Sequence, residues 1–224
     1  MKIKFMRKRI HFSIVFALIA MTSTLQAQDA KAKALLDNLS KKTATFTSMH
    51  ANFEYTMKNK AEGVDEKQTG SLITQGDQYH LEIAGQKIIS DGKNIWTVLE
   101  ESEEVQINVV PEDEDSEDYI SPTSILTLWE KGFNYKYDQA LTMNGKAVEV
   151  VNLFPENPKD KSFHTIKLYI DAAKSVVDQI VIKGKDGTDF TYLIQSFKTN
   201  ESLEPSLFKF LKKDHPGYDF IDLR

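Results

Sequence analysis

Cysteine is absent from this 224-residue chain. That excludes disulfide frameworks, thiolate nucleophiles, iron–sulfur clusters and thiolate zinc sites. There is no linker rich in proline, glycine or serine and no internal repeat, which favours one domain. Histidine is sparse, with five residues, and none stands in an H-x-x-x-H or similar ligand spacing. His50, His80, His164 and His215 fall on separate elements. The chain also lacks a G-x-S-x-G elbow and a P-loop, and nothing marks any of its serines as activated. A hydrolase would need a perturbed histidine or carboxylate in a cleft, and the sequence offers no candidate. We therefore expect no enzyme, no cofactor and no metal site.

What is present suits a packed protein. Hydrophobic residues make up 41% and charged residues 27%, ample for a core and unlike a disordered tail. The first nine residues carry Lys2, Lys4, Arg7, Lys8 and Arg9 with no acid. An apolar run follows from Ile10 to Ala20, and then a small polar stretch ends in Ala27-Gln28. This is the pattern of a secretory signal peptide, residues 1–27, cut after Ala27. A membrane anchor is the alternative, but the run falls short of the roughly 18–20 residues a spanning helix needs. Losing the leader removes five bases and no acid, leaving 23 bases against 33 acids, or −10. So acidic a protein is repelled by nucleic acid and by anionic headgroups. Export without cysteine fits a bacterial envelope compartment better than a disulfide-rich extracellular one.

Along residues 28–224, the three-and-four spacing of Ala32, Leu35, Leu36 and Leu39 predicts a helix from Asp29 to about Thr45. Period two then takes over. Strands are predicted around Phe53–Met57, Thr69–Gln75, Tyr79–Ile83, Lys87–Ser90, Asn94–Leu99 and Val105–Val109, with a polar connection over Asn59–Gln68. Ser121-Pro122 opens a second short helix holding Ile125, Leu126, Leu128 and Trp129, with Gly132 as its left-handed cap. Strands resume at Phe133–Tyr137, Ala147–Leu153, Phe163–Ile170, Val176–Lys183 and Phe190–Phe197, with Asn144-Gly145 and Asp186-Gly187 as hairpin turns. Pro205–Phe208 reads as one helical turn before an extended end. About eleven strands and two or three short helices make a mainly β fold, a bent antiparallel sheet with helices covering one face.

The acidic stretch Glu100–Asp118 fails as a calcium loop, since a start at Asp113 leaves no glycine at the sixth place and no carboxylate at the twelfth. It reads as a solvated loop or as a docking patch for a basic partner. The aromatic alternation has two readings as well. Phe53, Tyr55, Tyr79, Trp96, Phe133, Tyr135 and Tyr137 fill a core, or they line an apolar face that two short helices cover incompletely. Such a face is completed by a partner or by an apolar ligand.

Six short stretches resemble the LolA family of periplasmic outer-membrane lipoprotein carriers. After the leader and helix, Phe46 to Phe53 is similar to the family's F-x-S-x-x-A-x-F strand. Gly70-Ser71-Leu72 and Gly76 to Ile83 resemble its next strand pair. Ile88-Ile89-Ser90-Asp91-Gly92-Lys93-Asn94-Ile95-Trp96 resembles its S-D-G-K-x-h-W hairpin, and this is the most specific match. Ser121-Pro122 resembles the start of its lid helix, and Leu203 to Phe210 its late D-x-x-x-F-x-F segment. The resemblance implies a half-open antiparallel β-barrel closed by short lid helices, monomeric, sheltering the acyl chains of lipoproteins. It also implies loading by an inner-membrane ABC transporter and delivery to an outer-membrane acceptor. On this reading the cavity wall is Phe53, Tyr55, Tyr79, Leu81, Ile83, Ile89 and Trp96, and the lid is Ile125, Leu126, Leu128 and Trp129. Because such a lid is peripheral to the sheet, Trp129→Asp or Leu126→Asp is expected to abolish probe binding with only a modest loss of folding. The chain departs from the family at Gln75-Gly76, where the family carries an arginine that latches the lid. A signalling or adaptor module of the same fold, docking through 100–118, is the alternative function.

Overall fold

The computed structural model describes residues 30–111, 123 and 127–224. The leader and most of the expected lid helix, Ile125 and Leu126 included, lie outside the described residues. Residues 30–43 form a helix, α1, as the apolar spacing predicts. Its Ala32, Leu36 and Leu39 are buried. On the opposite, exposed side Lys33 and Asp37 pair one turn apart at 2.7 Å.

Twelve strands follow: β1 (Met49–Asn59), β2 (Val64–Gln75), β3 (Gln78–Ile83), β4 (Gln86–Ser90), β5 (Asn94–Leu99), β6 (Glu104–Val109), β7 (Phe133–Met143), β8 (Lys146–Pro155), β9 (Phe163–Asp171), β10 (Val176–Gly184), β11 (Asp189–Thr199) and β12 (Asp219–Asp222). All belong to one sheet, in the order β12-β6-β5-β4-β3-β2-β1-β11-β10-β9-β8-β7. Neighbours run antiparallel except β12, which lies parallel to β6. The sheet is not closed: β7 and β12 are its two free ends. This is the expected half-open barrel, with one more strand than expected. The hairpin turns stand where their residues place them, with Asn144 (φ 50°), Gly145 (φ 77°) and Gly187 (φ 87°) in the left-handed region.

One expectation changes. The polar connection over 59–68 is mostly strand, because β2 begins at Val64. Residues 64–69 pair with β1 only, since β3 joins β2 no further than Gly70. This overhang buries little, so it needs no apolar alternation. It is held by backbone pairing and by cross-strand ion pairs, Lys58 with Asp65 at 3.2 Å and Lys67 with Glu54 at 2.8 Å. The strand expected at Val105–Val109 is β6, and the acidic stretch from 112 onward lies outside the described residues. Of the second helix, only a 3-10 turn at Leu128–Glu130 is described, followed by Gly132 at φ 75°.

α1 packs across the β7–β10 half of the sheet. There Leu36, Leu39 and Trp129 join Val151, Leu153, Ile166, Leu168 and Ile170 in one buried cluster. A second cluster, Met49, Phe53, Leu72 and Tyr79, occupies the same face on β1–β3. Twelve strands at about 4.8 Å apart span roughly 55 Å of arc, whereas a helix is about 10 Å across. Among the described residues a single helix therefore leaves much of this inner face uncovered. The opposite face of β3–β5 is covered by the C-terminal segment. His80 Nδ1 lies 3.1 Å from the carbonyl oxygen of Leu207. The Phe208 side chain is fully buried, and Phe210 stacks on Trp96 at 5.8 Å between centroids.

Candidate functional site

Between α1 and the uncovered half of the sheet lies a cavity of about 280 Å³. Leu39 of α1 and Phe46 form one wall. Ala51, Phe53, Leu72 and Leu81 of β1–β3 and Ile180, Ile182, Tyr192 and Ile194 of β10–β11 form the other. Period-two alternation places these residues on one face. The pairing of β1 with β11, Tyr55 opposite Tyr192, brings together side chains more than 130 residues apart in sequence. Gly70 is a necessary gap in this wall. The Phe53 ring lies across it, and a Cβ there would stand 2.5 Å from Phe53 Cζ and 2.7 Å from the Glu82 carbonyl oxygen. The glycine of the G-x-L motif thus makes room for the aromatic ring of the neighbouring strand.

Trp129 closes the cavity from above. It is 5% exposed, and its indole Nε1–H donates to Ser40 Oγ of α1 at 2.8 Å. It belongs to the main buried cluster rather than to a peripheral flap, so an aspartate at this position breaks the core and does not spare the fold. The start of α1 is tied down separately. Lys31 Nζ donates to Glu149 Oε2 at 2.8 Å and to the Tyr137 hydroxyl at 3.0 Å, while that hydroxyl donates to Glu149 at 2.7 Å. Partial burial alone would raise the Glu149 pKa, but its bonds from Lys31 and Tyr137 outweigh this and hold it below the usual carboxylate range. At the position of the family's arginine, Gln75 ends β2 and Gly76 turns at φ 57°, so the described polar ties to α1 come from Trp129, Tyr137 and Glu149 instead.

Of the expected wall, Phe53, Leu81 and Ile83 line the cavity, as does Trp129 from the expected lid. Tyr55 and Tyr79 share the inner face without lining it. Tyr55 packs on Tyr192 at 5.2 Å between centroids, and Tyr79 is buried in the β1–β3 cluster. Leu128 packs against the cluster under α1. Ile89 and Trp96 are corrected: they point to the other face. The turn Ala84-Gly85 pairs Ile83 with Gln86, and the turn Asp91–Lys93 pairs Ser90 with Ile95. Inward positions on β4 and β5 are therefore Ile88, Ser90, Ile95 and Thr97, and Ile89 and Trp96 fall under the C-terminal segment. The Asp91 turn is rigid, with the carboxylate accepting from the Lys93 and Asn94 amides at 2.8 Å each. The β10–β11 wall was not anticipated. Its alternation, Ile180/Ile182 and Tyr192/Ile194, is plain in the sequence, but which strand it would face is not.

Tyr192 is a partly buried polar residue among these apolar ones. Burial, and to a lesser degree Tyr55, pushes its pKa up to about 12, against about 10 for an unfolded tyrosine. Because the folded value is the higher, the stabilisation is complete below about pH 10 and is lost as pH rises toward 12. An alkaline titration of unfolding free energy is expected to fall by on the order of 2 kcal/mol across that window. Tyr192→Phe should remove most of that fall, and an unchanged alkaline slope would contradict the buried environment.

Among the described residues, no group of three His, Cys, Asp or Glu is placed to hold a metal ion. No described helix is long and apolar enough to cross a membrane. The site is an apolar chamber with few polar atoms, built between one helix and an unclosed antiparallel barrel, which defines a class of hydrophobic-ligand binding fold. The family model for outer membrane lipoprotein carrier protein LolA matches residues 44–211. The chain belongs to the LolA family. No curated protein sequence matches it. Among solved structures, it is similar to an uncharacterized conserved protein from Thermus thermophilus, at 12% identity and a TM-score of 0.53, covering 86% of this chain and 99% of that one. A LolA superfamily protein from Nitrosomonas europaea aligns at 10% identity and a TM-score of 0.44, covering 80% of this chain and 97% of that one. The Mycobacterium tuberculosis lipoprotein LppX aligns at 13% identity and a TM-score of 0.46, covering 77% and 99%.

Proposed function

We propose that this protein is a periplasmic carrier that hides the acyl chains of lipoproteins between the inner and outer membranes. Residues 1–27 act as the cleaved export signal, and residues 28–224 are one carrier domain. Its cargo is handed over by an inner-membrane ABC transporter and received by an outer-membrane acceptor. The observation that supports this most is the apolar cavity of about 280 Å³ beneath α1 and Trp129. Hydrocarbon burial is worth about 0.8 kcal/mol per methylene, so one long acyl chain in water costs on the order of 10 kcal/mol. A greasy chamber offsets that cost without specific hydrogen bonds. Cargo can still leave, because the wall is an open sheet half covered by one helix rather than a sealed core. Phe53, Leu81, Ile83 and Trp129 are the acyl-contacting residues of this proposal, with Ala51 and Tyr192.

The test is uptake by the purified mature protein. A fluorescent long-chain fatty acid is expected to bind with a blue-shifted emission, and organic extraction of protein taken from the envelope is expected to release acylated material. A protein that leaves the probe in water and yields no lipid is not a carrier.

A further inference from the structure

Among the residues that line the cavity, side-chain oxygens stand in two places. Thr43 and Ser175 stand where the end of α1 meets the turn between β9 and β10. Tyr192 stands in the middle of β11. Its neighbours across the strands are Tyr55 on β1 and Ile180 on β10. Ile180 lies five residues along β10 from Ser175, roughly 15 Å in strand geometry. Hydrocarbon side chains fill the wall between the two places.

Tyr192 is held in position. Its ring packs on Tyr55 at 5.2 Å and on Phe53 at 5.9 Å between centroids. Its hydroxyl has no hydrogen-bond partner among the described residues, yet it is not sealed away from the cavity space. Raised by burial to about 12, its pKa leaves a neutral phenol, and so a proton donor, throughout the neutral range. A ligand that displaces water from the chamber leaves this donor unpaired, at a cost, unless it brings an acceptor of its own.

We infer that the Tyr192 hydroxyl is a binding subsite for an ester carbonyl, so that the cavity selects ester-linked acyl chains over hydrocarbon of the same length. This rests on the carrier reading above and adds to it the chemical group that is recognised. An ester carbonyl accepts one hydrogen bond and carries no charge to desolvate. It sits at the head of an acyl chain, so the chain runs from Tyr192 along the apolar wall toward Ser175, and the polar remainder leaves past Tyr55. A carboxylate at the same place would bring an ion into the chamber, at far greater desolvation cost. Tyr192 is also the residue with the right anatomy, an apolar ring within the wall and a polar tip at its surface.

The experiment compares a long-chain monoacylglycerol with the 1-alkylglycerol of equal chain length, in which a methylene replaces the ester carbonyl. Both are titrated into the mature protein below their micellar concentrations. Wild type is expected to bind the ester about three- to tenfold more tightly, the worth of one net hydrogen bond. Tyr192→Phe should erase that preference, so that ester and ether bind the variant with equal affinity. Equal affinities in wild type, or a preference that survives in Tyr192→Phe, overturn the ester subsite and leave acyl-chain carriage standing. Failure of both ligands to bind overturns the subsite and the carrier reading together. The wild-type ratio needs no variant, so a folding defect in Tyr192→Phe does not remove the test.

Discussion

Ala51→Phe is expected to abolish uptake of a long-chain probe while leaving the protein folded. Ala51 lines the cavity at the centre of its sheet wall, between Leu72 of β2 and Phe197 of β11. A benzyl group there projects into the chamber rather than into close-packed core. The cavity is about 280 Å³, below the usual range of about 300–1,000 Å³ for ligand sites, so one added ring takes a large share of it. Filling an empty apolar space is commonly neutral or stabilising by about 0.5–2 kcal/mol. The expected result is therefore a melting temperature unchanged or raised, with probe affinity reduced at least tenfold. Probe binding that persists at full strength would show that the ligand lies elsewhere. A sharp fall in melting temperature would mean that the space around Ala51 is already filled.

The opposite behaviour is expected of Trp129→Ala. This side chain borders the same cavity, but it is also part of the cluster between α1 and β8–β10. Removing a buried Trp costs about 3–5 kcal/mol, and Ser40 loses the indole donor as well. That is a large share of the roughly 5–15 kcal/mol typical of a domain. The melting temperature should fall by roughly 8 °C or more, together with probe binding. Trp129→Phe separates the two contributions, since it keeps most of the packing and loses only the bond to Ser40. It is expected to cost about 1–2 kcal/mol and to retain uptake. A Trp129→Ala protein as stable as wild type would return this residue to the role of a loose flap, which its burial contradicts.

The contrast between these two variants marks where local pattern was enough. α1 was readable because Ala32, Leu35, Leu36 and Leu39 repeat at helical spacing, and the strands because their alternation is bounded by turn residues such as Asn144-Gly145. The inner face of β1–β3 followed from the same alternation, since Phe53, Leu81 and Ile83 belong to strands joined in sequence. Ile89 and Trp96 were misplaced because the face of β4 and β5 depends on the residue count of two turns, and a shift of one position reverses a strand. The β10–β11 wall escaped notice for a different reason. Its pairing with β1 joins distant parts of the chain, and no short window of sequence contains that information.

Composition and periodicity alone establish a cysteine-free, mainly antiparallel β chain, because backbone geometry imposes periods of two and 3.6 on any segment with one buried side. They leave open whether its apolar face is filled as core or is more than two short helices can hide. Which of the two it becomes is a matter of long-range assembly. It depends on β11 docking beside β1, on α1 settling over β7–β10 rather than over β1–β3, and on Trp129 reaching Ser40. Those are contacts between surfaces built from distant segments, and their shape exists once the sheet has curved and not before.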